Sequence, residues 1–235
     1  MEIPVYSTVY YTVLCLGLIP LQEFQGSWKL HPPSTVHNGS NTFYREAQPP
    51  EGVASSGEVV VLLHGAAFHS KTWLDLHTID LLAGMGHRVI AIDLPGFGKT
   101  PSPLTGDRAD YLHSLLSNLK VTHPILVSPS MSGQFSILFI NKYPQDLAGF
   151  VPVAPVSTQL IKEKAPELRV PTLIIYGEND RTLGHSSRDD LLRIPTSQDI
   201  EIPQAKHPAY LDNPNLFHTL LYNFIKQVHA HRASA

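Results

Sequence analysis

The chain has 235 residues, of which 43% are hydrophobic and 16% are charged, and its formal net charge is −3. This length and composition suit one large globular domain with a sizeable core. The small negative charge and the absence of a Lys/Arg cluster argue against a nucleic-acid-binding groove. The only cysteine, Cys15, permits no internal disulfide, and the histidines form neither an H-E-x-x-H motif nor a Cys/His cluster. We therefore predict no metal site and no cofactor.

The N-terminal segment over residues 5–21 carries no charge, and twelve of its seventeen residues are apolar. It is slightly short for a membrane span, which needs about 20 residues. It also lacks the basic region and the cleavage site of a secretory signal. We interpret it as a single-pass signal-anchor, so the protein would be membrane-associated. A cleaved signal is one alternative, and a core-packed or interfacial segment, with a cytoplasmic protein, is the other.

A stretch rich in Pro, Ser and Asn follows over residues 31–40, and we predict that it is a polar linker. It contains the sequon Asn38-Gly39-Ser40, which makes Asn38 a candidate glycosylation site. We therefore divide the chain into an anchor-like segment with its linker, residues 1–40, and a folded catalytic domain, residues 41–235.

From residue 41 onward, short apolar runs predict strands, and apolar residues at helical spacing predict helices. The predicted strands cover residues 42–46, 59–63, 89–92, 124–127, 150–154, 172–176 and 199–202. The predicted helices cover residues 71–85, 108–119, 134–143 and 213–229. This alternation predicts an α/β protein with a mainly parallel sheet and helices on both faces.

The hexapeptide Ser-Pro-Ser-Met-Ser-Gly, residues 128–133, lies where a predicted buried strand turns into a helix. A nucleophile elbow, small-x-Ser-x-small, needs small neighbours because its serine adopts a strained backbone conformation. Here Ser128 and Ser132 stand in place of the usual glycines, and Ser130 would be the nucleophile. Taken alone, the hexapeptide fits equally well a strand-to-helix loop in which Ser130 or Ser132 caps the helix.

A serine nucleophile needs a histidine base and an acid that orients the base, both on loops after later strands. Asp180 follows the predicted strand at 172–176, and His207 follows the one at 199–202. Asp180 alone could cap the next segment, and a single loop histidine is more often solvent-exposed. The order Ser130, Asp180, His207, each after a strand, predicts a catalytic triad.

Two backbone N–H groups must stabilise the oxyanion of the transition state. His64-Gly65-Ala66-Ala67 comes directly after the strand at 59–63. We predict that Ala66 provides one N–H and Met131, the residue after the nucleophile, the other. We predict structural roles for His64 and Asp93.

The chain resembles the α/β-hydrolase superfamily and, within it, α/β-hydrolase domain-containing family 14, from about residue 43 to its end. The segments that carry the resemblance are VLLHG (61–65), AIDLPG (91–96), VSPSMSG (127–133), GFVPVAP (149–155), IYGEND (175–180) and HPAYL (207–211). The S-P-S-x-S-G form of the elbow is particular to that family. The resemblance implies an α/β-hydrolase fold with Ser130, Asp180 and His207 as the triad. The family has a soluble and a membrane-anchored branch, and the hydrophobic N-terminus makes the chain look like the anchored one.

Many α/β-hydrolases carry a lid domain between the strands that correspond to residues 150–154 and 172–176, but here only residues 155–171 connect them. We predict no lid, and an uncapped site favours small acyl groups or acyl groups on a bulky partner such as a protein. We therefore expect a serine hydrolase acting on small acyl esters, amides or thioesters, which passes the acyl group to water or to an acceptor such as a thiol. The alternative is a protein-interaction module on a hydrolase scaffold.

Overall fold

The computed structural model describes residues 30–37, 41–101 and 104–234. In this part of the chain, eight strands form one sheet in the order β1-β2-β4-β3-β5-β6-β7-β8. The strands are β1 (Leu30–His37), β2 (Asn41–Ala47), β3 (Val59–Leu62), β4 (Arg88–Ile92), β5 (Ile125–Pro129), β6 (Gly149–Val153), β7 (Thr172–Gly177) and β8 (Ser197–Ile202). The strands from β3 to β8 run parallel to one another. Strand β2 is antiparallel to its neighbour β4, and β1 is antiparallel to β2.

Helices cover both faces of this sheet. They are α1 (Ser70–Asp75), α2 (Thr78–Gly84), α3 (Arg108–Asn118), α4 (Gly133–Lys142), α5 (Leu183–Leu191), α6 (Ala209–Asp212) and α7 (Pro214–Ala233).

Among the described residues, none of the helices is both long and apolar enough to cross a membrane. The predicted anchor over residues 5–21 and the candidate glycosylation site Asn38 lie outside the described residues.

The core is divided between the two faces because successive side chains of a strand point to opposite sides. Val60 and Leu62 of β3 pack in one cluster, with α1, α2 and α7. Val61 and Leu63 pack in the other cluster, with α3 and α4. Strands that are buried on both faces have continuous apolar sequences, and this pattern predicted β3 and β5. The predicted α/β-hydrolase fold is confirmed.

The connection between β6 and β7 contains two single-turn 3-10 helices, Thr158–Leu160 and Ala165–Glu167. The described residues therefore contain no lid domain at this position.

The prediction of a linker over residues 31–40 is wrong where β1 is concerned. Leu30–His37 pairs with β2 from Leu30 opposite Ala47 to His37 opposite Asn41. Its register shifts between His31 and Ser34, across two prolines that in the sequence indicated a loop. Proline is tolerated in an edge strand, because one side of that strand makes no ladder hydrogen bonds. The sheet thus includes residues that the division at residue 40 assigned to the linker.

The helix predicted over residues 71–85 is two helices, α1 and α2. His77 between them has a φ of 58°, in the left-handed region, which ends a right-handed helix. The apolar spacing continues across the break, so the periodicity concealed it. Helices α5 and α6 were not predicted, since α5 buries only Gly184, Ser187 and Leu191 and has no apolar stripe.

Candidate active site

The order of the strands brings the predicted site residues to one edge of the sheet. Strand β3 pairs with β4 on one side and β5 on the other, both parallel to it. The chain therefore reverses its direction of winding at β3, and the loops that leave β3 and β5 form a crevice at their carboxyl ends. The loop after β3 carries Ala66, and the turn after β5 carries Ser130. Asp180 and His207 follow β7 and β8 at the same edge.

Ser130 occupies the sharp turn between β5 and α4, at the start of a 3-10 helix, Ser130–Ser132. Its φ is 50°, a conformation that is uncommon for a residue with a side chain. The turn needs a glycine at position 133, because a Cβ there would overlap the carbonyl oxygen of Val156. The Val156 N–H donates a hydrogen bond to the Ser130 carbonyl oxygen at 3.0 Å, which fixes the turn against the loop after β6.

Three other serines form a buried network beneath the turn. The Ser132 hydroxyl donates to the Pro129 carbonyl oxygen at 2.7 Å. Ser128 Oγ lies 2.9 Å from Ser132 Oγ and 2.6 Å from Ser136 Oγ. Because each hydroxyl has one hydrogen, Ser128 donates to Ser132 and Ser136 donates to Ser128. All three side chains are buried and internally paired.

The structure brings Ser130, His207 and Asp180 into one chain of hydrogen bonds. His207 Nε2 lies 2.8 Å from Ser130 Oγ, and His207 Nδ1 lies 2.6 Å from Asp180 Oδ2. A carboxylate only accepts, so His207 carries its hydrogen on Nδ1, and Nε2 is free to accept the serine proton. The Asp180 side chain is 3% exposed and that of His207 is 39% exposed.

Glu178, the nearest other acid, is directed elsewhere. It is exposed, and its Oε2 accepts a hydrogen bond from the Gln204 N–H at 2.6 Å. This bond, with one from Asn179 Nδ2 to the Gln204 carbonyl oxygen, holds the loop after β7 to the loop that carries His207. Gly177 allows the two loops to approach, because a Cβ there would overlap the carbonyl oxygen of Lys206.

The loop after β3 is held in place by His64 and Asp93, as we predicted from the sequence. Buried His64 accepts a hydrogen bond from the Leu94 N–H on Nε2 and donates from Nδ1 to the Gly65 carbonyl oxygen, both at 2.9 Å. Burial lowers the pKa of His64, which favours this neutral form. Asp93 accepts from the backbone N–H groups of Ser70 and Lys99.

The predicted oxyanion donors belong to the two segments that meet at Ser130, the loop after β3 and the turn after β5. A Cβ built on Gly65, the neighbour of Ala66, would lie 3.4 Å from the Ser130 Cβ, so the loop after β3 is in contact with the nucleophile turn. Met131 follows Ser130 directly. Among the turn, loop and cap hydrogen bonds of the described residues, none is donated by the N–H group of Ala66 or Met131. Ala66 and Met131 therefore stay the predicted oxyanion donors.

A cavity of about 190 Å³ adjoins Ser130 and His207. Its other lining residues are Gly65, Ala66, Ala67, Phe68, Pro129, Val153, Pro208 and Tyr210. This volume is about six times the share of one water molecule in the liquid, roughly 30 Å³, and below the roughly 300–1,000 Å³ of pockets for drug-sized ligands. The described residues contain no group of three His, Cys, Asp or Glu side chains placed to hold a metal ion.

Sequence reasoning assigned no role to two residues of this region. Tyr210 belongs to the segment HPAYL that carried the family resemblance, and its position three residues after His207 was the available signal. Ser136 gave no signal, because one serine in a helix is equally compatible with a solvent-facing position.

Comparison with known proteins agrees with this architecture. Residues 58–163 match the family described as alpha/beta hydrolase fold. The solved structure of a predicted CIB-like hydrolase from Thermoplasma acidophilum has a TM-score of 0.77 and 24% identity, over 86% of this chain and 100% of that chain. At that identity the likeness concerns the fold alone.

Two curated relatives are more similar in sequence. Protein ABHD14A of Danio rerio is 40% identical over 197 residues, which are 79% of this chain and 72% of the relative. The human protein named "Putative protein-lysine deacylase ABHD14B" is 38% identical over 196 residues, which are 80% of this chain and 91% of the relative. The chain is thus an α/β-hydrolase, an enzyme of the serine-hydrolase type, and belongs to α/β-hydrolase domain-containing family 14.

Proposed function

We propose that this protein removes small acyl groups from esters, amides or thioesters through a Ser130-His207-Asp180 triad and an acyl-enzyme. The observation that carries the proposal is the continuous hydrogen-bond chain from Ser130 Oγ through His207 to Asp180, beside a small cavity. A hydroxyl within 2.8 Å of an imidazole nitrogen, with the other nitrogen held by a buried carboxylate, is the arrangement that activates a serine.

In the first half of the reaction, Ser130 Oγ attacks the acyl carbon while His207 Nε2 takes the hydroxyl proton. The Ala66 and Met131 N–H groups hold the oxyanion, and Asp180 stabilises the imidazolium. His207 then gives its proton to the leaving alkoxide, amine or thiolate. In the second half, His207 takes a proton from water or a thiol, which attacks the acyl carbon. His207 then returns this proton to Ser130 Oγ as the bond between Oγ and the acyl carbon breaks.

The size and exposure of the site favour a small acyl group on a large carrier. The cavity accommodates few atoms, so it suits a short acyl chain. The entrance is open, since Ala66 and Ala67 are exposed and His207 is partly exposed. A protein side chain can therefore reach Ser130 from solvent. The human relative is named as a protein-lysine deacylase. Together with the small cavity and its open entrance, this name favours an acylated lysine on a protein as the substrate.

A fluorophosphonate probe tests the proposal, because it labels only an activated serine. We expect labelling of the wild-type chain and none of Ser130→Ala. A folded wild-type chain that fails to label would contradict the proposal and favour the interaction module. If the wild-type chain labels, a screen of p-nitrophenyl esters and acyl-lysine peptides identifies the group that carries the acyl chain. The same screen with and without an added thiol identifies the acceptor.

We further propose that residues 5–21 attach the protein to a membrane, because the segment is apolar, carries no charge and precedes the sheet. The Asn38 sequon then favours a lumenal catalytic domain. Because β1 begins at Leu30, a deletion that tests this should end at residue 29. We expect the full chain in the membrane fraction and the truncated chain active in the soluble one. A full chain that is soluble and unglycosylated would contradict the anchor.

A further inference from the structure

Tyr210 lines the cavity beside Ser130 and His207, and the mechanism above gives it no role. It lies on α6, and its side chain is firmly held. The ring centroid lies 4.8 Å from that of Trp73 and 5.9 Å from that of Phe217. The residue is 2% exposed. Its position is therefore fixed by the aromatic cluster that packs α6 against α1 and α7.

The hydroxyl of Tyr210 has no hydrogen-bond partner among the described residues. Burial raises the pKa of this phenol, and no hydrogen bond opposes that effect. Other tyrosines differ, since Tyr111 pairs with Thr42 and Tyr143 donates to Asp110. A buried tyrosine hydroxyl normally finds a partner, because an unpaired one loses the hydrogen bonds it made to water.

The Tyr210 hydroxyl is not fully enclosed. Polar atoms that are fully enclosed and unpaired occur elsewhere in the described chain, for example Ser70 Oγ and His87 Nε2, but the Tyr210 oxygen is not one of them. It therefore keeps contact with open space, and we infer that this space is the cavity that Tyr210 lines. A ligand in the cavity is thus the available partner.

The remaining wall determines what such a ligand would be. Of the described lining residues, only Tyr210 and the reacting Ser130 and His207 have a polar side-chain atom. Among these residues, Tyr210 is therefore the one that can recognise a polar atom on the acyl chain. The described lining residues also include no Lys or Arg, so a carboxylate on the acyl chain would be buried without a cation from them.

We propose that Tyr210 determines acyl specificity, its hydroxyl binding a neutral oxygen on the acyl chain beyond the carbonyl, so that small hydroxyacyl or ketoacyl groups are preferred over alkyl groups of the same length. This inference rests on the proposed function. A site built to hydrogen-bond a substrate group discriminates against the analogue that lacks it, since its own polar atom is then left unpaired.

The test compares p-nitrophenyl esters of butyrate, β-hydroxybutyrate and succinate on the full chain. The variants are Tyr210→Phe and, as a matched control, Tyr222→Phe, a half-buried tyrosine outside the cavity lining. We expect the wild type and Tyr222→Phe to prefer β-hydroxybutyrate over butyrate by about tenfold or more in kcat/KM, with succinate the poorest. Tyr210→Phe should remove or reverse the first preference and still label with fluorophosphonate.

Three results would overturn the role of Tyr210 while labelling shows an active serine. In the first, the wild type shows no preference for the β-hydroxybutyrate ester over the butyrate ester. In the second, this preference survives in Tyr210→Phe. In the third, Tyr210→Phe slows hydrolysis of the butyrate and β-hydroxybutyrate esters equally. The last result would instead assign the hydroxyl to the reacting carbonyl. A wild-type chain that neither labels nor hydrolyses any ester would overturn the proposed function, and the inference with it.

Discussion

Replacing Asp180 with asparagine tests the proposed triad at its most buried member. Asparagine has the same shape, so the loop after β7 should keep its conformation. The Thr182 hydroxyl donates to Asp180 Oδ1 at 3.4 Å, which favours an asparagine whose amide oxygen stays beside Thr182. The amide NH₂ then faces His207 Nδ1, where the carboxylate Oδ2 now lies at 2.6 Å.

This exchange of an acceptor for a donor reverses the histidine tautomer. Nδ1 must accept, so the hydrogen moves to Nε2, which can then no longer take the proton of Ser130. The side chain at position 180 is 3% exposed, so water cannot substitute for the lost acceptor. The same change in other Ser-His-Asp triads lowers turnover by about 10⁴-fold, which is about 5.4 kcal/mol of transition-state stabilisation at about 1.36 kcal/mol per factor of ten.

The assay is the rate of p-nitrophenyl acetate hydrolysis and of fluorophosphonate labelling. Glu178→Gln is the matched control, because it changes an exposed acid two residues away that bonds to the Gln204 N–H. We expect little change for Glu178→Gln. A loss of less than about tenfold for Asp180→Asn, or a similar loss for both variants, would refute the assignment of Asp180 as the orienting acid.

Two further predictions concern stability. Ser132→Ala should lower the free energy of unfolding, measured in urea, by about 1–3 kcal/mol, because it leaves Ser128 and the Pro129 carbonyl oxygen without their buried partner. The variant should still react with the fluorophosphonate probe. A variant that folds but does not label would contradict this prediction. His218, whose pKa burial lowers to about 4, is neutral in the fold beside Thr78, but takes a proton near pH 6.5 when unfolded. Stability should therefore fall as the pH drops from about 6.5 towards 4, by up to about 2 kcal/mol at pH 5 from this group. His218→Gln should show a smaller loss in the same urea titrations, and an equal loss would contradict the assignment.

The elements that could be predicted are those whose signal is local. Strands β3, β5 and β7 are buried on both faces, so their apolar runs identified them, and the residues after each strand then fell at one edge of the sheet. That placement made Ser130, Asp180 and His207 candidates before any distance was known. The order of the chain and the parallel sheet together determine which loops meet.

The parts that could not be predicted depend on contacts distant in sequence. Strand β1 is made by its pairing with β2, and its two prolines indicated a loop. The break at His77 is a backbone conformation that the helical spacing of apolar residues does not reveal. The role of Tyr210 depends on which partners its hydroxyl lacks, and that requires the full set of neighbours.

The hydrogen bonds of the serine-rich elbow distinguish Ser130 from Ser132, which the sequence left as alternatives. Glycines in the usual motif meet a demand for small size, and serine meets it too if its hydroxyl can be paired when buried. Here Ser136 donates to Ser128, Ser128 to Ser132, and Ser132 to the Pro129 carbonyl oxygen, so every hydrogen of the network is used. Ser132 has no hydrogen left for a base. Ser130 stands outside this network and bonds to His207. The pairing that makes the other serines acceptable in the elbow therefore supports Ser130 as the proposed nucleophile.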